Sequence, residues 1–226
     1  MEAKHTLFIV VTLILILGVT GVMAQSRTIG GTINNADGKR EFVSPDAATP
    51  DTAEKLYKLE PTSHSAFALA RLFIRKNNTA KAITYYEEAI NLEKDKYEKA
   101  SYCYELAVVV YGQKDYPRVR NYARQAISLN PEWGKPYILI GKIYAASAKT
   151  IGESDLQQRI VYCLAVDQFI KAKAVDADIA SEADKEIIQY SQYFPGKEDA
   201  FFENIKAGST FKVGGWINEN TVVRLR

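Results

Sequence analysis

The sequence predicts a mainly α protein. The expected fold is an α-α superhelical repeat solenoid of about three helix pairs, ended by a capping helix and a small β-hairpin. Three observations predict it. Apolar residues between Ser63 and Ala177 recur at helical spacing. The same segment realigns on itself when shifted by 37 residues, placing Leu69, Ala70 and Phe73 over Leu106, Ala107 and Val110. The last residues, TFKVGGWINENTVVRLR, abandon helical spacing for β-rich runs around polar residues.

The repeat continues into a second helix of each copy. Ala82, Tyr86 and Ala89 fall over Val119, Ala123 and Ala126. Turn-prone Asn77-Asn78 and the segment Gln113-Lys114-Asp115 separate the helices within those two copies. A third copy follows Pro131, with Tyr137, Ile140, Gly141 and Tyr144 in its first helix and Ala165, Phe169 and Ala172 in its second. Its internal join reads as about a dozen residues longer, a loop over 150–161. A helix over 49–60 should precede the array, with Thr49 as cap and Pro50 in the first turn. A closing helix is expected from Ala180 to Tyr193, burying Ile187, Ile188 and Tyr190. A short helix over 197–205 around Phe201-Phe202 follows Pro195-Gly196. The hairpin should pair Thr210–Ile217 with Thr221–Leu225 across Asn218-Glu219-Asn220, and pack through Phe211, Trp216 or Leu225, because a lone hairpin is marginal in water.

These residues resemble the tetratricopeptide-repeat family, whose unit is two antiparallel helices of about 34 residues. The large-small pairs of the first helix are Leu69-Ala70, Leu106-Ala107 and Ile140-Gly141. The small-aromatic-small triplet of the second helix is met by Ala82-Tyr86-Ala89 and Ala165-Phe169-Ala172; the middle copy departs with Val119 and Ala123. Pro131 supplies one closing proline, while Lys94 and Ala177 stand at the others. Ala66, Cys103 and Tyr137 replace the family's early tryptophan. The resemblance implies protein binding through the first helices, on a face carrying Phe67, Arg71 and Arg75, then Tyr104, Val108 and Tyr111, then Ile138 and Lys142. Such a face suits apolar side chains and a carboxylate; the competing reading packs Phe67, Val108 and Ile138 between helices. The asparagines of the family's carboxylate-clamp subgroup are absent from these positions, so that ligand preference is not implied.

Composition narrows the function. The 226 residues are 47% hydrophobic and 25% charged, as in globular proteins. With 29 Lys plus Arg against 27 Asp plus Glu, no basic excess favours nucleic acid. The segments expected are 1–24 as a signal peptide, 25–48 as a flexible arm, 49–195 as the solenoid and 196–226 as helix plus hairpin. The leader reading rests on Lys4, the apolar run Leu7–Val22 and the small-x-small site Val22-Met23-Ala24, which would leave Gln25 first. As a helix that run reaches roughly 25 Å against a hydrocarbon core of about 30 Å. The expected location is therefore the periplasm or another exported compartment. The alternative is an inner-membrane anchor formed by residues 7–23, the one case in which a membrane is a partner. The arm, rich in Gly, Asn, Asp, Ser and Thr, reads as a linker or a docking strand.

No catalytic set, cofactor or metal site is expected. His64 stands at a helix start, where a capping or surface role is usual. Gly30-Gly31 and Gly214-Gly215 lack the spacing of a phosphate loop. The carboxylates of Glu87-Glu88 and Glu198-Asp199 diverge on a helix, and Gly152–Asp155 offers too few oxygens for a calcium loop. Asn77-Asn78-Thr79 matches a glycosylation sequon but reads more simply as a turn. Cys103 and Cys163 sit in apolar helical patterns, as buried thiols or as a disulfide. The functional expectation is a non-enzymatic adapter or scaffold for a protein or peptide partner in the bacterial cell envelope. A self-assembling or anchored structural role is the alternative, and an enzyme or accessory subunit using the loop 150–161 comes third.

Overall fold

The computed structural model describes residues 31–34, 40–43 and 50–226. The segment expected to be a leader with its cleavage site, and most of the expected arm, lie outside the described residues. Among those that are described, no helix is long and apolar enough to cross a membrane. The chain divides into two compact units, Met1–Glu93 and Lys94–Arg226.

In the first unit, strands β1 (Gly31–Asn34) and β2 (Arg40–Val43) pair antiparallel, with Gly31 opposite Val43. Eight residues of the segment read as an arm therefore form a hairpin. Helix α1 (Pro50–Leu59) precedes the antiparallel pair α2 (Ser63–Arg75) and α3 (Thr79–Leu92). A capping box starts α2: Thr62 Oγ1 accepts from Ser65 N–H, and Ser65 Oγ accepts from Thr62 N–H. Asn77 makes the turn at φ 57°, a conformation asparagine tolerates, and Asn78 caps α3. Leu69, Leu72, Phe73 and Ala82 form the core, with Ala53, Tyr57 and Tyr85 packed on it. Two tyrosines tie α1 to α3: Tyr57 donates to Glu88 at 2.6 Å and Tyr85 to Glu54 at 3.0 Å. Burial, then the acceptor carboxylate, pushes each phenol up to about 12.

The second unit begins with α4 (Lys96–Gly112) and α5 (Tyr116–Leu129), joined by a turn with Lys114 at φ 60° and capped by Asp115. The next pair is α6 (Lys135–Ile151) and α7 (Asp155–Val175). The expected loop over 150–161 is corrected here: only Gly152–Ser154 lies outside the helices. Ser154 caps α7 through Gln157 N–H, and Leu156, Ile160 and Val161 are buried. The surplus residues lengthen α7 to 21, against 14 in α5, rather than making a loop.

Small residues let the helices of each pair approach. Ala107, Ala123, Ala126, Ala165 and Ala172 have no exposed surface. At Gly141 the approach is tighter still: a Cβ there would stand 2.3 Å from Cε1 of the fully buried Phe169. At the other end of that pair, Asp176 Oδ2 accepts from Gly134 N–H at 2.9 Å, fixing the start of α6 to the end of α7.

Helix α8 (Ala180–Ser191) follows a single 3-10 turn, and α9 (Lys197–Phe202) is short. Ala183 is the buried residue of α8, whereas Ile187 is half-buried and Ile188 is exposed, against expectation. Strands β3 (Thr210–Val213) and β4 (Glu219–Val222) form the C-terminal hairpin, with Val213 opposite Glu219. The turn is thus Gly214–Asn218, four residues earlier than expected at its start. Gly215 at φ 59° and Asn218 at φ 50° set it. Trp216 and Ile217 leave the strand for the turn, and the buried contacts are Val213, Ile217 and Val223; Phe211, Trp216 and Leu225 are only half-buried.

Polar contacts hold the hairpin against three helices. Glu219 accepts from Arg120 and Arg124 of α5 and from the Tyr144 hydroxyl of α6. Arg120 also donates to the Ile217 carbonyl at 2.6 Å and lies 4.9 Å from the Trp216 ring. Its Nε is buried and has no partner among the described residues. On α7, Asp167 accepts from Thr221 and from Arg224, each at 2.6 Å. Cys103 and Cys163 are free and buried, and burial pushes both thiols up to about 11.

The Gly141 contact gives a direct test. Gly141→Ala should cost about 1–3 kcal/mol, because Phe169 has no free space to move into. The matched change Gly112→Ala, with nothing within 4 Å of the added carbon, should stay within about 0.5 kcal/mol. Thermal unfolding of the two variants reads the difference; equal midpoints would reject the close-approach account.

Candidate functional site: the first-helix face of the second unit

The site is built from helices α4, α6 and α8. On α4, Tyr104, Val108 and Tyr111 recur at four and three residues, so they form one stripe. The opposite side of α4 buries Cys103, Leu106, Ala107 and Val110, leaving this stripe outward. Val108 is 46% exposed and Tyr111 37%, values that set them apart from core packing. Tyr104 is half-buried because its ring lies 4.8 Å from that of Trp133, just before α6. Tyr111 lies 6.0 Å from Tyr116.

Helix α6 contributes Lys142. Its ammonium lies 3.0 Å from Glu186 and 3.7 Å from Glu182, both on α8. Burial pulls the Lys142 pKa down, but the hydrogen bond and charge of Glu186, then Glu182, outweigh it and leave the group above its ordinary value. Lys142 stays cationic, yet its charge is already engaged within the protein. Tyr190 of α8 completes the face. Its ring stacks 5.5 Å from Phe169 and 6.1 Å from Tyr162 on α7, and its hydroxyl feels the charges of Glu186 and Lys142 and the nearby Tyr111.

The expected residues divide. Tyr104, Val108, Tyr111 and Lys142 fall on this face. Ile138 is 4% exposed and packs in the core, which corrects its expected binding role. Phe67, Arg71 and Arg75 lie on α2 of the first unit. There Phe67 packs edge-on against Tyr86 at 5.6 Å and carries the Arg71 guanidinium at 5.8 Å, while Arg75 is exposed. Trp133, Glu182, Glu186 and Tyr190 were not anticipated. The signal for three of them was present: Glu182, Glu186 and Tyr190 recur every fourth residue, on one face of α8.

Antiparallel helices paired through small residues and an interlocking aromatic, repeated along the chain, define an α-α solenoid. The helix pairs make the chain a helical repeat protein, and their large-small and small-aromatic-small residues resemble the tetratricopeptide type. No known protein-family pattern matches the chain. It is similar to the photosystem I assembly protein Ycf3 of Cyanophora paradoxa, 32% identical over 74 residues. That match covers 33% of this chain and 43% of Ycf3, so the chain spans less than half of that relative. Among solved structures, that of MamA aligns with a TM-score of 0.40 at 16% identity, over 68% of this chain and 89% of MamA.

The electrostatics of the face can be checked through Tyr104. Burial and then Glu182 hold its phenol above the ordinary value near 10, while Lys142 opposes them. An unfolded tyrosine loses its proton near that value and the folded one later, so this group withdraws stability as pH rises above about 10. Glu182→Gln should lower the Tyr104 midpoint and Lys142→Met should raise it, as read by NMR of ring-labelled tyrosine across pH. Unmoved midpoints would disprove the proximity of these three groups.

Proposed function

We propose that the chain is a non-catalytic adapter that holds a segment of another polypeptide on the α4–α6–α8 face. The observation that carries this reading is the outward stripe of Val108 and Tyr111 beside Tyr104 and Trp133. Apolar and aromatic surface left half-exposed on a rigid helix is what binding faces present, since tyrosine and tryptophan give large contact area for little lost side-chain freedom. The name of one relative, an assembly protein, supports an adapter or scaffold class without specifying the partner. The ion pair of Lys142 with Glu186 and Glu182 serves to fix α6 against α8, so the face offers its aromatic stripe rather than a free lysine.

The location we propose is the bacterial envelope, after export. Support comes from the apolar run Leu7–Val22 followed by Val22-Met23-Ala24. An anchor retained over residues 7–23 is the second reading, favoured by the length of that run. Sequencing the N-terminus of the protein as it accumulates in a bacterial host separates them: Gln25 as first residue supports export with cleavage, and an intact Met1 rejects it.

For the binding face, a photo-crosslinking residue at position 108 should capture a specific protein. Val108→Ser with Tyr111→Ser, introduced beside a crosslinker at position 104, should reduce that capture by about tenfold, or ~1.4 kcal/mol. Both side chains are exposed, so the melting temperature should move by less than a few degrees. Capture unaffected by the double change would place binding elsewhere.

A further inference from the structure

Helix α9 presents a second surface. Phe201 is 81% and Phe202 84% exposed, more than any other large apolar side chain described. The rings meet edge-on at 6.1 Å. Each ring left in water forgoes the stabilisation that burying a large apolar side chain normally gives. The backbone beneath them is closed. Ile205 N–H donates to the Ala200 carbonyl at 2.8 Å, Asn204 N–H to Phe201 at 3.1 Å, and Asn204 takes φ 54°. Ala200 is 1% exposed and Phe194 7%, so the turn is rooted in the core while its two rings project.

Beside Phe202 is a hollow of about 290 Å³ lined by Asp155, Leu156, Arg159, Asp199, Phe202 and Glu203. Its apolar wall is Leu156, 2% exposed. Three acidic residues and one arginine line it, an excess of negative charge. Ser154 donates to Glu203 at 3.3 Å, tying the hollow to the start of α7.

We propose that Phe201, Phe202 and this acidic hollow form a second docking element, for a polypeptide partner that presents an arginine or lysine beside an apolar patch. The rings enter the partner's apolar surface, and the partner's cationic side chain enters the hollow, its stem along Leu156 and its charge among Asp155, Asp199 and Glu203. The charge selects the occupant. A second copy placing the same surface here would bring like charges together, and an anionic lipid surface would meet the same repulsion. An aromatic anchor next to a charge-matched pocket is also the usual make-up of the residues that dominate protein interfaces. This surface is independent of the α4–α6–α8 face.

The test uses the full chain and labelled short peptides of alternating leucine and arginine, with glutamine and glutamate versions, followed by fluorescence anisotropy at physiological salt. The arginine peptide should bind about tenfold tighter than the glutamine peptide. Phe201→Ser with Phe202→Ser should weaken it by about tenfold, and Asp199→Asn with Glu203→Gln should bring the two peptides within about twofold of each other. Leu59→Ser, at an exposed apolar side chain of the first unit, should leave these affinities unchanged, which separates a specific element from general apolar adhesion. Equal binding of the arginine and glutamine peptides overturns the proposal. So does indifference to either α9 double variant, or a loss in the Phe201→Ser, Phe202→Ser variant of self-association by light scattering or of co-sedimentation with phosphatidylcholine vesicles.

Discussion

The fold depends on how closely two helices can lie. Where Ala70, Ala82, Ala89, Ala107, Ala123, Ala126, Ala165 and Ala172 meet, no solvent reaches either backbone, and dispersion contacts accumulate over the full length of each pair. Gly141 and Phe169 take this to its limit, the missing side chain on one helix being the space occupied by the ring on the other. That interlock fixes axial register as well as distance, since sliding by one residue would drive the ring into a side chain. Everything on the outer surface inherits its position from this constraint. The stripe on α4 is outward because Leu106 and Ala107 are inward, and Lys142 points toward α8 because Gly141 points toward α7.

The C-terminal hairpin answers a different need. A two-stranded sheet has too little core to stand alone, and here Val213, Ile217 and Val223 are buried only because α5, α6 and α7 provide a seat. Two carboxylates position it. Glu219 gathers Arg120, Arg124 and Tyr144, and Asp167 gathers Thr221 and Arg224. Charge-assisted hydrogen bonds of this kind are directional, so they fix orientation where the apolar contacts alone would leave the sheet free to slide. The orphaned Arg120 Nε is a local cost of that arrangement.

Much of this was legible in the residues. Helical spacing and the 37-residue shift located the pairs, and Asn77-Asn78 and Lys114-Asp115 located two of their turns. The segment 150–161 was misread because Gln157, Gln158 and Arg159 interrupt its apolar pattern; they lie on the less buried side of a helix whose other side carries Leu156, Ile160 and Val161. The hairpin register was misplaced because Asn218-Glu219-Asn220 is turn-like in composition, while Glu219 is drawn into a strand by three donors from helices 75 to 99 residues earlier in the chain. The role of Lys142 was illegible for a similar reason: whether a lysine is free depends on what a helix forty residues later brings beside it. The buried state of Ile138 and the exposed state of Ile188 likewise depend on helix rotation, which periodicity bounds only loosely.

The extra length of α7 has a bearing on how such an array could grow. Copying one helix pair normally costs a repeat protein little, because each unit sees only its neighbours. Here the pair α6–α7 is not interchangeable with α4–α5. Its second helix is half as long again, and it shares the hairpin with α5 through Arg120 and Arg124. Any duplication that separated α5 from α6 would orphan half of the clasp. The helices α5, α6 and α7 are therefore held as one set by the hairpin they share.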